Sequence, residues 1–175
     1  MNKIIITGGP GSGKTTLINS LEQLSYNCSK EASRQLIIEQ VAKKSDCLPW
    51  INLGAFADLV LERIILLYEN ASKEQITFFD RGIPDIIAYL TAAKLPVPSA
   101  YYDALTQYPY NNTVLILPPW PEIYLNDDER WQTYEESVAI YQAIRETYQS
   151  LNFTLVEVPK TSISGRVAFV TDQLN

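Results

Sequence analysis

The sequence predicts a doubly wound α/β fold built on a five-stranded parallel sheet. Three observations carry that expectation. Short apolar, β-branched runs recur along the chain, each halted by Gly, Pro or Asp. Stretches with helical spacing of apolar residues separate them, so that strand and helix alternate. The first run, Lys3 to Thr7, feeds directly into Gly8-Gly9-Pro10-Gly11-Ser12-Gly13, which holds four of the seven glycines.

The elements follow in order. Residues 3–8 read as a buried strand, and Lys14–Leu24 as a helix with Leu17, Ile18, Leu21 and Leu24 on one face. Tyr26–Ser29 is a weak strand. Glu31–Lys43 returns to helix, with Leu36, Ile37, Ile38 and Val41 as its apolar side. Asp46–Trp50 is a loop, and Ile51–Asn70 a long helix through Phe56, Leu59, Val60, Ile64 and Leu67. Ile76–Phe79 is a short strand ending at Asp80. Pro84 suits the first turn of a helix running to about Lys94, and a short helix follows near Ala100–Gln107. Thr113–Leu117 is a strand closed by Pro118-Pro119. Asn126–Arg130 is a polar loop before a helix over Trp131–Ser150, then a last strand at Phe153–Val158 and a closing helix at Ser164–Leu174.

At 175 residues the chain is expected to form a single domain, 1–175, with a small lid around 120–135. No stretch reaches the roughly 18 apolar residues of a membrane span, and no signal peptide is read at the N-terminus. Cys28 and Cys47 have no metal-like spacing and read as reduced thiols of a cytoplasmic protein. A net charge of −6 argues against nucleic acid as a partner and against a membrane surface. Histidine is absent, so acid–base chemistry falls to carboxylates, Lys or Tyr. The sequence sets no expectation for oligomeric state.

Gly8-x-x-x-x-Gly13-Lys14-Thr15 satisfies the P-loop, or Walker A, pattern. Phosphates are held by inward-turned backbone N–H groups, which needs the φ range and close approach that glycine permits. The expected cradle is Gly8, Gly9, Pro10, Gly11, Ser12, Gly13, Lys14, Thr15 and Thr16. Lys14 is expected on the β- and γ-phosphates of ATP, and the Thr15 hydroxyl on Mg2+. Asp80, at the end of an apolar strand, stands where a Walker B carboxylate would serve Mg2+. Asp85 reads as the cap of the helix that starts at Pro84.

Absences narrow the class. There is no Asn-Lys-x-Asp guanine motif, the strand-end Asp80 is followed by Arg81 and not Glu, and no Leu-Ser-Gly-Gly-Gln signature occurs. Small-molecule kinases remain.

GGPGSGKTTLI, KEASRQLI, ITFFDRGIPD and PPWPEIYLNDDERW together resemble the nucleoside and nucleotide kinase branch of P-loop NTPases. More closely, the chain is similar to the AAA-type predicted ATPases related to the ribosylnicotinamide kinase domain of NadR. The resemblance implies that Glu31 faces an acceptor hydroxyl as general base or orienting group. It places Asp80 on Mg2+, Arg81 on a phosphate or the acceptor, and Arg130 as a lid arginine over the transferring group. It also puts the adenine near Pro159–Ser162. Where kinase lids carry several arginines, Asp127, Asp128 and Glu129 precede Arg130 here.

Arg63 and Arg34 fall on apolar helical stripes, and a buried arginine needs an anionic partner. That partner is either a group on the substrate or an acid such as Glu31. Trp50 and Phe56 either stack on a flat ring or belong to the core. Two functions follow. The first is an Mg2+- and ATP-dependent phosphotransferase acting on a small acceptor such as a nucleoside, a nucleotide or a related riboside. The alternative is a nucleotide-binding switch or slow ATPase acting on a protein or lipid partner.

Overall fold

The computed structural model describes residues 2–124 and 133–174. Strands β1 (Lys3–Gly8), β2 (Asn27–Ser29), β3 (Thr77–Asp80), β4 (Thr113–Leu117) and β5 (Thr154–Glu157) form one sheet in the order β2-β3-β1-β4-β5. Every pairing is parallel, with Ile5 opposite Phe79 and Ile6 opposite Leu115. Between and after the strands run α1 (Lys14–Gln23), α2 (Ala32–Ala42), α3 (Leu53–Asn70), α4 (Ile83–Ala92), α5 (Ser99–Gln107), α6 (Tyr134–Ser150) and α7 (Ile163–Asp172).

The two-residue period of the strands sorts the core into two layers. Ile5, Phe79, Val114 and Ile116 point to one face, where they meet residues of α2 through α6 such as Leu36, Val60, Ile87, Tyr101 and Ile144. Ile4, Ile6, Phe78, Leu115 and Leu117 point to the other and meet Leu17, Ile18 and Leu21 of α1 and Val170 of α7. Strands buried on both faces explain why they read as unbroken apolar runs instead of alternating ones. Since β2 and β3 lie to one side of β1 and β4 and β5 to the other, winding reverses at β1 and leaves a crevice at the carboxyl ends of the strands.

The sequence reading differs from the structure on α2. Its predicted apolar side was Leu36, Ile37, Ile38 and Val41, yet Ile38 is 66% and Val41 53% exposed. The packed stripe is Ala32, Leu36 and Gln40, spaced four apart, and Gln40 is only 7% exposed. Ile37 packs against the core and also borders the crevice, while Ile38 borders it from the exposed side. At the other end of the chain, α6 begins at Tyr134 because Thr133 caps it: its hydroxyl accepts from the Glu136 N–H while Glu136 accepts from the Thr133 N–H. Arg130, its acidic neighbours and half of the expected lid lie outside the described residues.

Candidate active site

The crevice is floored by the turn after β1 and the end of β3. Gly8 has φ 147° and Gly13, the N-cap of α1, φ 84°, both in the region that only glycine adopts without strain. A Cβ on Gly8 would lie 2.5 Å from the Leu117 carbonyl oxygen of the neighbouring strand. Lys14 opens α1, and its buried ammonium donates to the Gly8 and Gly9 carbonyls at 3.1 and 3.2 Å. Burial, with the Arg81 cation nearby, lowers its pKa to about 8. Thr15 and Thr16 follow on the exposed first turn of α1. The Tyr124 ring packs over Gly11.

From the sheet side come Asp80 and Arg81. Arg81 sits at φ 71°, a left-handed conformation rare for a residue with a Cβ, and its amide donates to Ile6 at 3.1 Å. That turn holds the guanidinium inward, 11% exposed, with Nε donating to Glu31 and Nη1 to Asp85, each at 3.2 Å. The Tyr89 ring lies 5.4 Å from it. Burial pushes the Asp80 carboxyl up to about 6, against the pull of Lys14. Glu31 goes the other way: burial opposes its charge, but Arg81 and Lys14 overcome this and hold it down to about 2. A carboxylate so weakly basic stays ionised and serves to accept a hydrogen bond from a hydroxyl; one already comes from Ser33 at 2.8 Å.

Asp85 does more than cap α4. It accepts from the Gly82 amide at 2.9 Å, as a cap should, but also from Thr7 of β1, from Arg81, and from Tyr148 of α6 at 2.6 Å. Its carboxylate therefore ties two strand ends and two helices together beneath the crevice. On the opposite side of the phosphate loop stands Arg166 of α7, which no sequence signal singled out. It is 3% exposed; Nη1 donates to the Ser12 carbonyl at 3.1 Å, Nε to Pro159 at 3.3 Å, and the guanidinium covers the Trp120 ring at 4.6 Å. Its Nη2 has no partner among the described residues.

A cavity of about 600 Å3 opens from this floor. Pro10, Gly11, Lys14, Glu31, Asp80 and Arg81 line its inner end, and Arg34, Trp50 and Phe56 line it further out. Arg34 is exposed, and Trp50, 53% exposed, stands at the rim and not in the core, whereas Phe56 is buried. Arg63 is not brought to the cavity. Its guanidinium meets Glu39 of α2 at 2.9 Å, both partly exposed, because its aliphatic stem follows the apolar stripe while the head turns out.

Between residues 3 and 166 the sequence matches the family model described as an AAA domain. The chain belongs to the AAA domain family. The match takes in the whole phosphate loop, and the fold is that of P-loop nucleoside and nucleotide kinases. Deoxyadenosine kinase from M. mycoides with dCMP and dCDP superposes with a TM-score of 0.71 at 17% identity, covering 99% of this chain and 98% of that one. Thymidylate kinase from Candida albicans gives 0.65 at 19% identity, over 99% and 90%. NadR in complex with NR gives 0.72 at 17% identity; it matches 99% of this chain, which spans 50% of that one. Identities this low carry the fold and no substrate. In sequence, no curated protein matches the chain.

The residues present suit a magnesium ion. Asp80 Oδ1 is buried with no hydrogen-bond partner among the described residues, and the Thr15 side chain is exposed one residue beyond Lys14. No cluster of three carboxylate or thiol side chains able to hold a metal occurs among the described residues. That pattern fits Mg2+, which takes one or two protein ligands and completes its shell with water and phosphate oxygens.

Proposed function

We propose that the chain is a phosphotransferase of the P-loop kinase type that moves the γ-phosphoryl group of ATP to a small-molecule acceptor. One observation carries this reading: the cavity starts at the phosphate loop and has Glu31, Asp80 and Arg81 around its inner end, where a transferring group and an acceptor hydroxyl would meet. A switch or a simple ATPase needs no such enclosure beside the phosphates.

In this reading the loop from Gly8 to Thr16 cradles the ATP phosphates and Lys14 leaves the Gly8 and Gly9 carbonyls to engage them. Asp80 and Thr15 hold Mg2+, which supplies charge neutralisation on the phosphates. Arg81, fixed by its left-handed backbone, faces the transferring group, and Glu31 orients the acceptor O–H. Catalysis is then mostly positioning and electrostatics, which suits a chain whose floor is preorganised by ion pairs. Residues around 120–135, with Arg130, act as a lid on a single domain spanning 1–175. The segment Pro159–Ser162 holds the adenine beside Arg166. The setting is cytoplasmic.

The test is transfer from γ-labelled ATP with Mg2+ into a panel of hydroxyl acceptors, with Lys14→Ala as control. Label on an acceptor, lost in the control, supports the proposal. Label released solely as phosphate, at the same rate with and without acceptors, removes it.

A further inference from the structure

The cavity has two ends of opposite chemistry. Its floor gathers Lys14, Glu31, Asp80, Arg81 and Asp85. Its wall does not continue in that style. Every side chain that α3 brings to the cavity is apolar, Phe56, Val60 and Ile64 among them. Facing these from α4 are Ile86 and Leu90, and from α2 Ile37. Tyr89, the one hydroxyl on the α4 side, has its ring against Arg81 and belongs to the floor. Ser33 is already committed to Glu31. At the mouth the exposed Ile38 and Trp50 continue the apolar character, beside one charged side chain, the exposed Arg34, which lies on the solvent side of the wall.

A nucleoside entering with its ribose on the floor would lay its base along this wall. The base edge carries several donors and acceptors, and each left unpaired on burial costs about tenfold or more in affinity. A site that reads a base supplies matching polar side chains; α3 supplies none. A hydrocarbon body gains from the same wall at every carbon buried, and 600 Å3 is within the range of pockets for such molecules.

We propose that the phosphoryl acceptor is an apolar alcohol, a hydroxyl carried on an alkyl, terpenoid or aryl body, and not a nucleoside. This rests on the kinase reading above. In the transfer, the acceptor oxygen bonds to the γ-phosphorus of ATP as the bond from that phosphorus to the β–γ bridging oxygen breaks. The electron pair leaves with ADP, and the hydroxyl proton, its O–H oriented by the ionised Glu31 carboxylate, is released to water as the new P–O bond forms. Arg81 and Lys14 hold the anionic product group at the floor, while the body stays on the wall.

Two measurements on the full chain test it. In the first, the fluorescence of 2-(2-naphthyl)ethanol is titrated with protein, then challenged with thymidine and deoxyadenosine. Saturable binding that neither nucleoside displaces is expected. Ile37→Asn should weaken it by about tenfold, and Ile37→Leu should leave it within about threefold. Ile38→Asn, at a position 66% exposed, repeats the comparison where folding is not at stake. In the second, labelled ATP is offered with the naphthyl alcohol, farnesol, thymidine and deoxyadenosine. Label on either alcohol in preference to both nucleosides upholds the inference. Label on a nucleoside alone, displacement of the probe by a nucleoside, or binding indifferent to both Asn variants overturns it and leaves the kinase reading intact. ATP hydrolysed by wild type but not by Lys14→Ala, with no label on any of the four, removes the kinase reading and the inference together.

Discussion

The floor and the wall of the cleft are made from the same helices and strands, yet they answer to different physics. The floor crowds three carboxyl groups and two cationic side chains into buried or partly buried positions, an arrangement that adds little to stability and costs much when one partner is lost. The wall is drawn from the apolar stripes of α2, α3 and α4, which also build the core under the sheet. A protein selected for stability alone would extend the wall across the floor. That it does not shows where the free energy of folding has been given up for chemistry.

The largest effect that separates the two regions is expected at Asp85. Asp85→Ala leaves Thr7, the Gly82 amide, Tyr148 and one end of Arg81 without their acceptor, so unfolding free energy should fall by about 3–5 kcal/mol. In a thermal scan this corresponds to a drop of roughly 10 °C or more. A change under about 1 kcal/mol would show that the network is not what ties the floor together.

Asp80 sharpens the comparison in the opposite direction. Its carboxyl is raised above the usual 3.8, to about 6, so the folded state binds this proton more tightly than the unfolded chain does. The stabilisation is present below about pH 4 and is lost as pH rises through 6. Asp80→Asn removes that dependence, and the ligand-free variant should be about 2 kcal/mol more stable than wild type at pH 7.5 while losing MgATP affinity. Urea melts at pH 4 and pH 7.5 check both the sign and the window. Equal stability of the two proteins at pH 7.5 would sink the claim of a strained floor.

Arg63 is the control outside both regions. Its pair with Glu39 is partly solvated, so Arg63→Ala should change stability by about 1 kcal/mol or less and leave transfer within about twofold. A larger loss of transfer would mean that the cleft extends further along α3 than the cavity does.

Much of this was legible in advance, for local reasons. A strand buried on both faces shows itself as an unbroken β-branched run, and the phosphate loop is encoded within nine consecutive residues. That Glu31 and Arg81 both serve the acceptor was implied only by resemblance, and their ion pair had no signal in the sequence, since 50 residues separate them. The role of Asp85 was hidden: its helix-capping position explains it completely until β1 and α6, 78 and 63 residues away, bring Thr7 and Tyr148 to it. Periodicity also failed to distinguish a core face from a cavity wall, as both are apolar. Ile37 does pack against the core while Ile38, one residue on, is exposed at the cavity mouth, and the stem of Arg63 gives the same periodic signal as a buried guanidinium. Arg166 gives no signal at all in the sequence, because what marks it, burial against Trp120 and the phosphate loop, arises only on folding.

The central claim is that the floor positions an acceptor for transfer and does not merely hold a nucleotide. Glu31→Gln tests it most directly, in single-turnover transfer from labelled ATP alongside MgATP affinity on the same sample. The account predicts transfer slower by about a hundredfold with MgATP affinity within about threefold of wild type. Transfer unchanged in rate would contradict it, and so would MgATP affinity lost in parallel with transfer.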